Sequence, residues 1–447
     1  MKKDYSKDVF KQLQEAMVLI AQLQEELRQA KQRIAELEAM VGKNSGNSSK
    51  PPSSDFFVKP INTRKPSSKK SGGQKGHKPY QAELYDEPDE IIEHRVETCE
   101  CGGEIEQIGL HKVKQLVDIE VVTKVTEHRI FDGKCSCCGK YVRAKCGLHD
   151  RVSYGNNLKS LVAMLSFEGN VSLKRTREMI FELTDKIKLS DGTVVKWHNE
   201  LKRQLAPFLS KVKLEMPTSK VLHKDETGIR INKKIHWLHV LSNKKYTLYH
   251  AHQKRGKDAD DEMGILEDYG GTLMHDHFKT LYKFGCKHAE CNAHILRYLK
   301  GVVENQKHNW AQEMIDLLLE LHRKKKNGAK IDVERAFAHY EDILKRARPI
   351  YYNQLGGEDY NLWKRMGEFK AEHLRFICDV NVPFDNNQAE RDLRMIKAKT
   401  KISGCFRSDD GAAAFASAKS YTSTMRKNGL NIYSALVSAF NANPICV

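Results

Sequence analysis

Acidic side chains within or directly after strand-like stretches are the first residues of this sequence that could perform chemistry. The stretch VLHKDETGIRIN, residues 221–232, has the Val, Ile and Thr content of a β-strand, yet Asp225 and Glu226 lie inside it. Asp276 ends a second strand-like stretch, GGTLMHDHF. A buried carboxylate costs several kcal/mol unless a cation or hydrogen-bond donors compensate it. The acids in these two stretches therefore predict a cation or hydrogen-bond donor that compensates their charge.

A third acid is predicted on a helix in the stretch FDNNQAERDLRMIKAKTKISG, where Asp385, Asn386 or Asn387 could cap the first turn. The spacing of Ala389, Leu393 and Ile396 marks the buried face of this helix.

Glu390 is our choice for the third acid, and Arg394 and Lys397 share its stripe at helical spacing. Asp385 and Asp392 compete with it, although the helix turns Asp392 roughly 200° away. Glu226, on the other face of the strand, is the alternative to Asp225.

Three carboxylates drawn from distant parts of a chain suit phosphodiester hydrolysis and transfer with two Mg²⁺ or Mn²⁺ ions. One ion activates the attacking water or 3′-hydroxyl, and the other stabilises the leaving oxygen. Mg²⁺ prefers hard oxygen ligands and keeps several waters, so Asp225, Asp276 and Glu390 are sufficient as protein ligands. Divalent charge would also make the acids of the strands tolerable.

Cysteines predict a second kind of metal site. TCECGGEI and KCSCCGKYV are two Cys-Gly knuckles that resemble a zinc ribbon, with Cys99, Cys101, Cys135 and Cys138 as the predicted ligands. The first knuckle has one residue between its cysteines instead of two, so Cys137 or Cys146 remains an alternative ligand. A metal-free cluster is the other interpretation. Further along, Cys291 and His294 could bind a metal with Cys286 and His288, although packing is the favoured role.

The elements that must position these groups begin with a heptad repeat of apolar residues from Val9 to Val41, which predicts a coiled coil and self-association. An amphipathic helix packed on its own domain is the alternative. Residues 43–80 follow, rich in Ser, Gly, Pro and Lys, and predict a basic arm that grips phosphates or merely solubilises the chain. LSDGTVVKWHNEL has a capping residue before an apolar-periodic run, which is typical of the second half of a helix-turn-helix or of ordinary helix packing.

The charge and the length of the chain limit the classes of function that it can have. The 447 residues are 40% hydrophobic and carry a formal net charge of +17, which predicts several domains and a polyanionic partner such as nucleic acid. No apolar run has the roughly 18 residues of a membrane helix, so we expect a cytoplasmic, nucleoid-associated protein without a membrane partner.

The chain resembles the large transposases of the bacterial insertion-sequence family numbered sixty-six. The likeness runs from the coiled coil through KNSGNSSKPPSSD, the cysteine module and NNQAERDLR to NGLNIYSALVSAF. It implies an Asp-Asp-Glu nuclease of the ribonuclease-H-like fold, and its motifs match Asp225, Asp276, Glu390 and a Cys-x-x-His-x-x-Arg segment made of Cys291, His294 and Arg297. The single residue between the cysteines of the first knuckle departs from the family pattern, and so do His275 and His277 beside the second acid.

We therefore predict a multidomain α/β protein with a ribonuclease-H-like core, a mixed sheet with helices, that carries a mostly α-helical insertion. Its predicted parts are a coiled coil (1–42), a basic linker (43–85), a zinc-ribbon-like module (86–150), a helical region with a possible helix-turn-helix (151–215), the first part of the catalytic domain (216–300), the helical insertion (301–380), the catalytic helix with the rest of that domain (381–425) and a C-terminal element (426–447).

The predicted function is that of a DNA transposase that binds the terminal inverted repeats of an insertion sequence, cuts DNA and transfers strands. A catalytically inactive DNA-binding regulator and another ribonuclease-H-like nuclease or resolvase are the alternatives. Predicted partners are double-stranded DNA of the element ends and target, further copies of the chain and small accessory proteins of the same element. The predicted DNA contacts are Lys69, Lys70, Lys75, Arg297, Arg391, Arg394 and Lys397.

Overall fold

The computed structural model describes residues 5–41, 47, 82–97, 99–106, 109–148, 150–352 and 356–447. The chain divides into two units: Met1–Ile61 with Gly147–Glu182 and Lys186–Val447 form one, and Asn62–Cys146 with Leu183–Asp185 form the other. The predicted DNA contacts Lys69, Lys70 and Lys75 lie outside the described residues. Within the described ranges, no helix is both long enough and apolar enough to span a bilayer.

The helices are α1 (Tyr5–Val41), α2 (Asn156–Ala163), α3 (Leu173–Thr184), α4 (Asp191–Gln204), α5 (Ala206–Glu215), α6 (Lys257–Met263), α7 (Asn292–Asn305), α8 (Asn309–Lys326), α9 (Val333–Ala347), α10 (Glu358–Glu368), α11 (Lys370–Cys378), α12 (Asn387–Ser403), α13 (Asp409–Lys427) and α14 (Ile432–Phe440). The strands are β1 (Asp132–Lys134), β2 (Tyr141–Arg143), β3 (Val221–Ile231), β4 (Lys234–Ser242), β5 (Thr247–His252), β6 (Thr272–His275) and β7 (Lys287–Glu290).

Five strands form a mixed sheet in the order β5-β4-β3-β6-β7. The first three in sequence are antiparallel neighbours, while β6 and β7 run parallel to β3. The β3–β4 hairpin closes through Asn232 and Lys233, which have φ values of 46° and 66°. Two consecutive positive φ values are typical of the tight turns that match the twist of paired strands. The prediction of a mixed α/β fold with many helices is confirmed at this level.

Helices cover the sheet and create two hydrophobic cores. Leu273 belongs to the core that also holds side chains of α2–α5, α12, α13 and α14. Its neighbour Met274 belongs to the core of α7–α11, because successive residues of a strand point to opposite faces. The region between β7 and α12 is therefore a helical layer with its own packing, in which Trp310 donates to the Tyr351 hydroxyl at 3.0 Å.

The segment around α3 and α4 shares the sheet's larger core. Ser190 accepts a hydrogen bond from the Thr193 amide at 3.0 Å and so caps α4. Val194, Trp197 and Leu201 of α4 are buried in that core. This packing uses the apolar face of the helix, and DNA contact by its other face stays a prediction.

The first helix has the predicted apolar seam on its surface. Where the side chains are described, the seam is 46–58% exposed, at Leu13, Ile20, Leu23, Leu27, Ile34 and Leu37. Met17, Val18 and Leu19, outside the seam, are exposed as well. A single helix of 37 residues does not test self-association, so the coiled coil stays a prediction.

A buried ion pair fastens a short π-helix, Met164–Glu168, to α13. Glu168 accepts from the Lys419 ammonium at 2.7 Å and from the Thr422 hydroxyl at 2.6 Å, and it also pairs with Arg426. Burial alone would raise the pKa of Glu168, but the Lys419 charge and these hydrogen bonds lower it from 4.5 to about 2. The carboxylate is therefore the form that the fold stabilises.

Glu168→Gln should lower the free energy of unfolding at pH 7 by about 3 kcal/mol, because the buried Lys419 loses its carboxylate partner. A carboxyl whose pKa is lowered by folding stabilises the protein above its unfolded pKa, and the contribution disappears as pH falls towards the folded pKa. Urea unfolding should therefore show the full difference above pH 4.5 and a shrinking one towards pH 2. The exposed Glu178→Gln should change stability by less than about 0.5 kcal/mol. An equal loss in both variants would contradict the prediction.

Candidate active site

Asp225 lies in the middle of β3, opposite Val240 of β4, and its side chain is half-buried. Its Oδ1 accepts the backbone N–H of Glu226 at 2.8 Å. Burial raises the pKa of the Asp225 carboxyl, and the charges of Glu226 and Asp276 raise it further, to about 7. The surroundings of Asp225 thus oppose a bare negative charge, which is the situation that a bound cation relieves.

Asp276 is the residue directly after the carboxyl end of β6, the strand beside β3. The parallel register of β3 and β6 ends with His223 opposite Met274. Two steps further, the same register brings Asp225 beside Asp276, and neighbouring strands lie about 4.8 Å apart. Burial and the Glu226 charge raise the pKa of Asp276 to about 6, while Arg255 opposes them. The fold therefore places two of the three predicted acids side by side.

Glu226 faces a different set of partners. Its carboxylate pairs with Arg255 at 2.7 Å and lies 3.8 Å from the Lys224 ammonium. Lys224 is itself buried and pairs with Asp260 of α6 at 3.1 Å. Since Glu226 already has cationic partners, Asp225 remains the better candidate for holding a metal.

Asn386 joins the third predicted element to the sheet. It is buried, its Oδ1 accepts from His223 Nδ1 at 2.8 Å, and its Nδ2 donates to the Lys224 carbonyl at 2.8 Å. Its backbone N–H donates to Cys291 Sγ at 3.2 Å. The side chain does not cap its own helix. It instead ties the start of α12 to β3, next to Asp225.

Glu390 is in the first turn of α12, whose buried residues are the predicted Ala389, Leu393 and Ile396. Its carboxylate lies 3.9 Å from His294 Nδ1 of α7. Ligand atoms of Cys291, His294 and Glu390 lie within 4.8 Å of one another, and among the described residues this is the only such group of three or more. The third member of the group with Cys291 and His294 is thus Glu390. Cys286 and His288, which the sequence offered as partners, are not in the group.

The histidines on either side of Asp276 have protein partners. His277 Nδ1 donates to Glu290, which also accepts from the Tyr282 hydroxyl and, at 3.1 Å, from His373 Nε2. Burial acts to raise the pKa of Glu290, yet hydrogen bonds from His277 and His373 hold it far below its usual range. His275 Nε2 lies 3.0 Å from His288 Nδ1. Glu290 is thus a charged acid that holds the loop after Asp276 in place.

The predicted phosphate contacts of the described part lie on two helices. Arg391, Arg394 and Lys397 are exposed on α12 and make no ion pair with any residue that the structure describes. Arg297 of α7 is half-buried and close enough for its charge to help burial lower the pKa of His294. Their exposure leaves the three cations of α12 accessible, and phosphate contact by them stays a prediction.

The cysteine knuckles are in the smaller unit. Cys99 Sγ and Cys101 Sγ are 3.2 Å apart. Backbone amides of Cys138 and Cys137, and then the Cys138 side chain, lower the pKa of Cys135 by hydrogen bonding. Each knuckle turns at a glycine with positive φ, Gly102 at 82° and Gly139 at 69°. In the described ranges, however, the four sulfurs do not form a group of three within 4.8 Å. The zinc ligands therefore stay a prediction.

Sequence reasoning missed the buried partners of the acids. Asn386 was only one of three possible capping residues, and Glu290 and Lys224 gave no signal. The stretch KHAE of β7 has too few residues to show periodicity, and the partners of Glu290 come from distant segments. A carboxylate at the end of a short apolar strand, as with Asp276, was the one available signal.

Comparison with known families gives two matches. Residues 151–414 match the family model described as Transposase IS66 family. Residues 5–83 match a family of unknown function (DUF6444). No curated protein matches the chain.

Asn386→Ala should lower the free energy of unfolding by about 2–4 kcal/mol, because it leaves the buried His223 Nδ1 and Lys224 carbonyl without partners. Urea unfolding measures this loss. The exposed Asn361→Ala on α10 is the matched control and should remain within about 0.5 kcal/mol of the unaltered protein. Equal stability of Asn386→Ala and Asn361→Ala would show that the hydrogen bonds of Asn386 to β3 contribute nothing to stability.

Proposed function

Because the chain belongs to the transposase IS66 family, we propose that it is a DNA transposase that binds the terminal inverted repeats of its element, cuts the DNA and joins the ends to a target. The observation that carries this proposal is the pair Asp225 and Asp276 on adjacent parallel strands. Each has a raised pKa in surroundings that contain further acids. Two such carboxylates offer hard oxygen ligands to Mg²⁺ or Mn²⁺.

Glu390 is the proposed third ligand, since α12 begins where Asn386 binds β3. When bound, two divalent ions would activate the attacking water or 3′-hydroxyl and stabilise the leaving oxygen. Asp225 and Asp276 would hold the ions with carboxylate oxygens from two adjacent strands, β3 and the end of β6. Glu226, paired with Arg255, keeps negative charge close to both acids. Arg391, Arg394 and Lys397 bind and orient phosphates of the DNA backbone.

A ribonuclease-H-like core is the fold that we propose for residues 216–300 and 381–425. Its support is the strand order β5-β4-β3-β6-β7, in which an antiparallel meander continues into two parallel strands. The helices α8–α11 are the proposed insertion of residues 301–380. The region 151–215 and the C-terminal element 426–447 are proposed to buttress this core, since their helices share its hydrophobic cluster.

The preceding parts are proposed to serve DNA binding and assembly. Residues 86–150 would form a zinc-ribbon-like module held by Cys99, Cys101, Cys135 and Cys138, with the second knuckle in the turn of the β1–β2 hairpin. Residues 43–85, with Lys69, Lys70 and Lys75, would contact DNA phosphates, and α1 would join copies of the chain. Accessory proteins of the same element and association with the nucleoid belong to the same proposal.

Asp225→Asn should reduce Mg²⁺-dependent cleavage of DNA that carries the element's ends by at least about a hundredfold, because an amide is a poor ligand for the ion. Folding and DNA binding should persist, since Asn keeps the shape of the side chain. Gel analysis of end-labelled DNA and a binding titration measure the two properties. The exposed Asp268→Asn should cleave normally. Retained cleavage by Asp225→Asn would reject the proposed site.

Leu23→Asp should dissociate the oligomer, because a charge at the centre of the seam is costly to bury between helices. Sedimentation equilibrium of the full chain should show a lower mass for this variant than for the unaltered protein. Gln24→Asp adds the same charge to the neighbouring position outside the seam and should leave the mass unchanged. An identical mass for all three proteins would argue against assembly through α1.

A further inference from the structure

The structure assigns a second metal site to Cys291, His294 and Glu390. We propose that Cys291 Sγ, His294 Nδ1 and a carboxylate oxygen of Glu390 bind a borderline or soft divalent cation, represented by Zn²⁺. Their ligand atoms lie within 4.8 Å of one another, and the His294 Nδ1 to Glu390 Oε1 distance is 3.9 Å. This site goes beyond the proposed function, which assigns Glu390 to the magnesium ions only.

The donor set determines the class of ion. Thiolate and imidazole are the ligands that Zn²⁺ and its neighbours in the transition series prefer, with bond lengths of about 2.0–2.3 Å. Ligand atoms bound to one such ion lie about 3–4 Å apart in a tetrahedral arrangement. The observed spacing thus needs only small side-chain movements. Mg²⁺ prefers oxygen ligands, so the carboxylates of Asp225 and Asp276 are better suited to it.

The backbone organises the ligands before any ion arrives. Cys291 directly precedes the first residue of α7, and His294 follows three positions later, a spacing that puts two side chains on the same side of a helix. The Asn386 amide donates to Cys291 Sγ at 3.2 Å. Burial raises the pKa of the Cys291 thiol to about 12, and this backbone N–H opposes the rise, so the thiol would lose its proton as the ion binds. Asn386 therefore contacts the thiol of Cys291 and directly precedes α12, the helix that carries Glu390.

The imidazole supplies an independent observation. Nδ1 of His294 is buried and has no hydrogen-bond partner within the described part of the chain. A buried polar atom left without a partner costs about 1–3 kcal/mol. Glu390 lies beyond hydrogen-bond distance from this nitrogen, and Cys291 completes the group around it. An ion between the three side chains would satisfy Nδ1 and screen the Glu390 charge.

Occupancy of this site would have a consequence for the acid of α12. A carboxylate has two oxygens, so an ion held by Cys291 and His294 would fix one oxygen of Glu390 and restrict the direction of the other. Three protein ligands leave the fourth tetrahedral position to water. The site would in this way position Glu390 without itself touching the pair Asp225 and Asp276.

The test measures metal binding by the full chain. The protein is stripped with a chelator and titrated with Zn²⁺, and bound zinc is counted by elemental analysis after gel filtration. Cys291→Ser should bind one zinc fewer per chain than the unaltered protein. Cys286→Ser removes a buried cysteine that is not in the group and should bind as much zinc as the unaltered protein. The other cysteines are present in both variants, so their zinc contributes equally.

Co²⁺ provides the spectroscopic check. The thiolate-to-cobalt absorption of the unaltered protein should exceed that of Cys291→Ser and equal that of Cys286→Ser. Glu390→Gln, at a side chain that is 28% exposed, should weaken zinc binding to this site by at least about tenfold. Circular dichroism and urea unfolding verify that each variant folds.

Equal zinc content and equal cobalt spectra in the unaltered protein, Cys291→Ser and Glu390→Gln would overturn the proposed site. Because no DNA is present, these results do not depend on the transposase activity. Asp225→Asn should retain the additional zinc even though it loses cleavage, so failure of one proposal leaves the other testable.

Discussion

The structure of the candidate site depends on one buried amide side chain. Asn386 binds His223 and Lys224 of β3 with its side chain and Cys291 with its backbone N–H. A helix, a strand and the start of a second helix therefore meet at a single residue with almost no exposure to solvent. These hydrogen bonds are directional, so Asn386 fixes the start of α12 beside β3, and the buried Ala389, Leu393 and Ile396 hold the rest of the helix against the core.

Around this point the protein separates two kinds of acid. Burial and the charge of Glu226 raise the pKa values of Asp225 and Asp276. Glu290 and Glu168 are also buried, but hydrogen bonds and cations lower their pKa values. The second pair stabilises the fold as carboxylates and needs nothing further. For the first pair, Lys224 and Arg255 only partly offset the burial and the neighbouring negative charge, and such incompletely compensated acids are typical of sites that hold cations.

Local pattern predicted the strands that carry Asp225 and Asp276 and the buried face of α12, because these depend on residues close together in sequence. Ala389, Leu393 and Ile396 are an example, since a helix places them on one side whatever it packs against. The partners of the acids were not predictable in this way. Lys224 with Asp260, and His373 with Glu290, are joined only by the tertiary fold. The grouping of Glu390 with Cys291 and His294 likewise needed coordinates, although the residues themselves had been singled out.

Glu290 has a consequence for how the molecule could be shortened. His277, the residue after Asp276, and His373 of α11 share this one carboxylate. A designer who trimmed the layer of α8–α11 to obtain a minimal nuclease would remove an imidazole from beneath the loop of the second acid. The truncated protein would then lack one hydrogen-bond donor to Glu290, which lies on the outermost strand β7, as well as the helices that bury this carboxylate. Miniaturisation of this protein would therefore require a replacement donor at that position, not merely a shorter connection between β7 and α12.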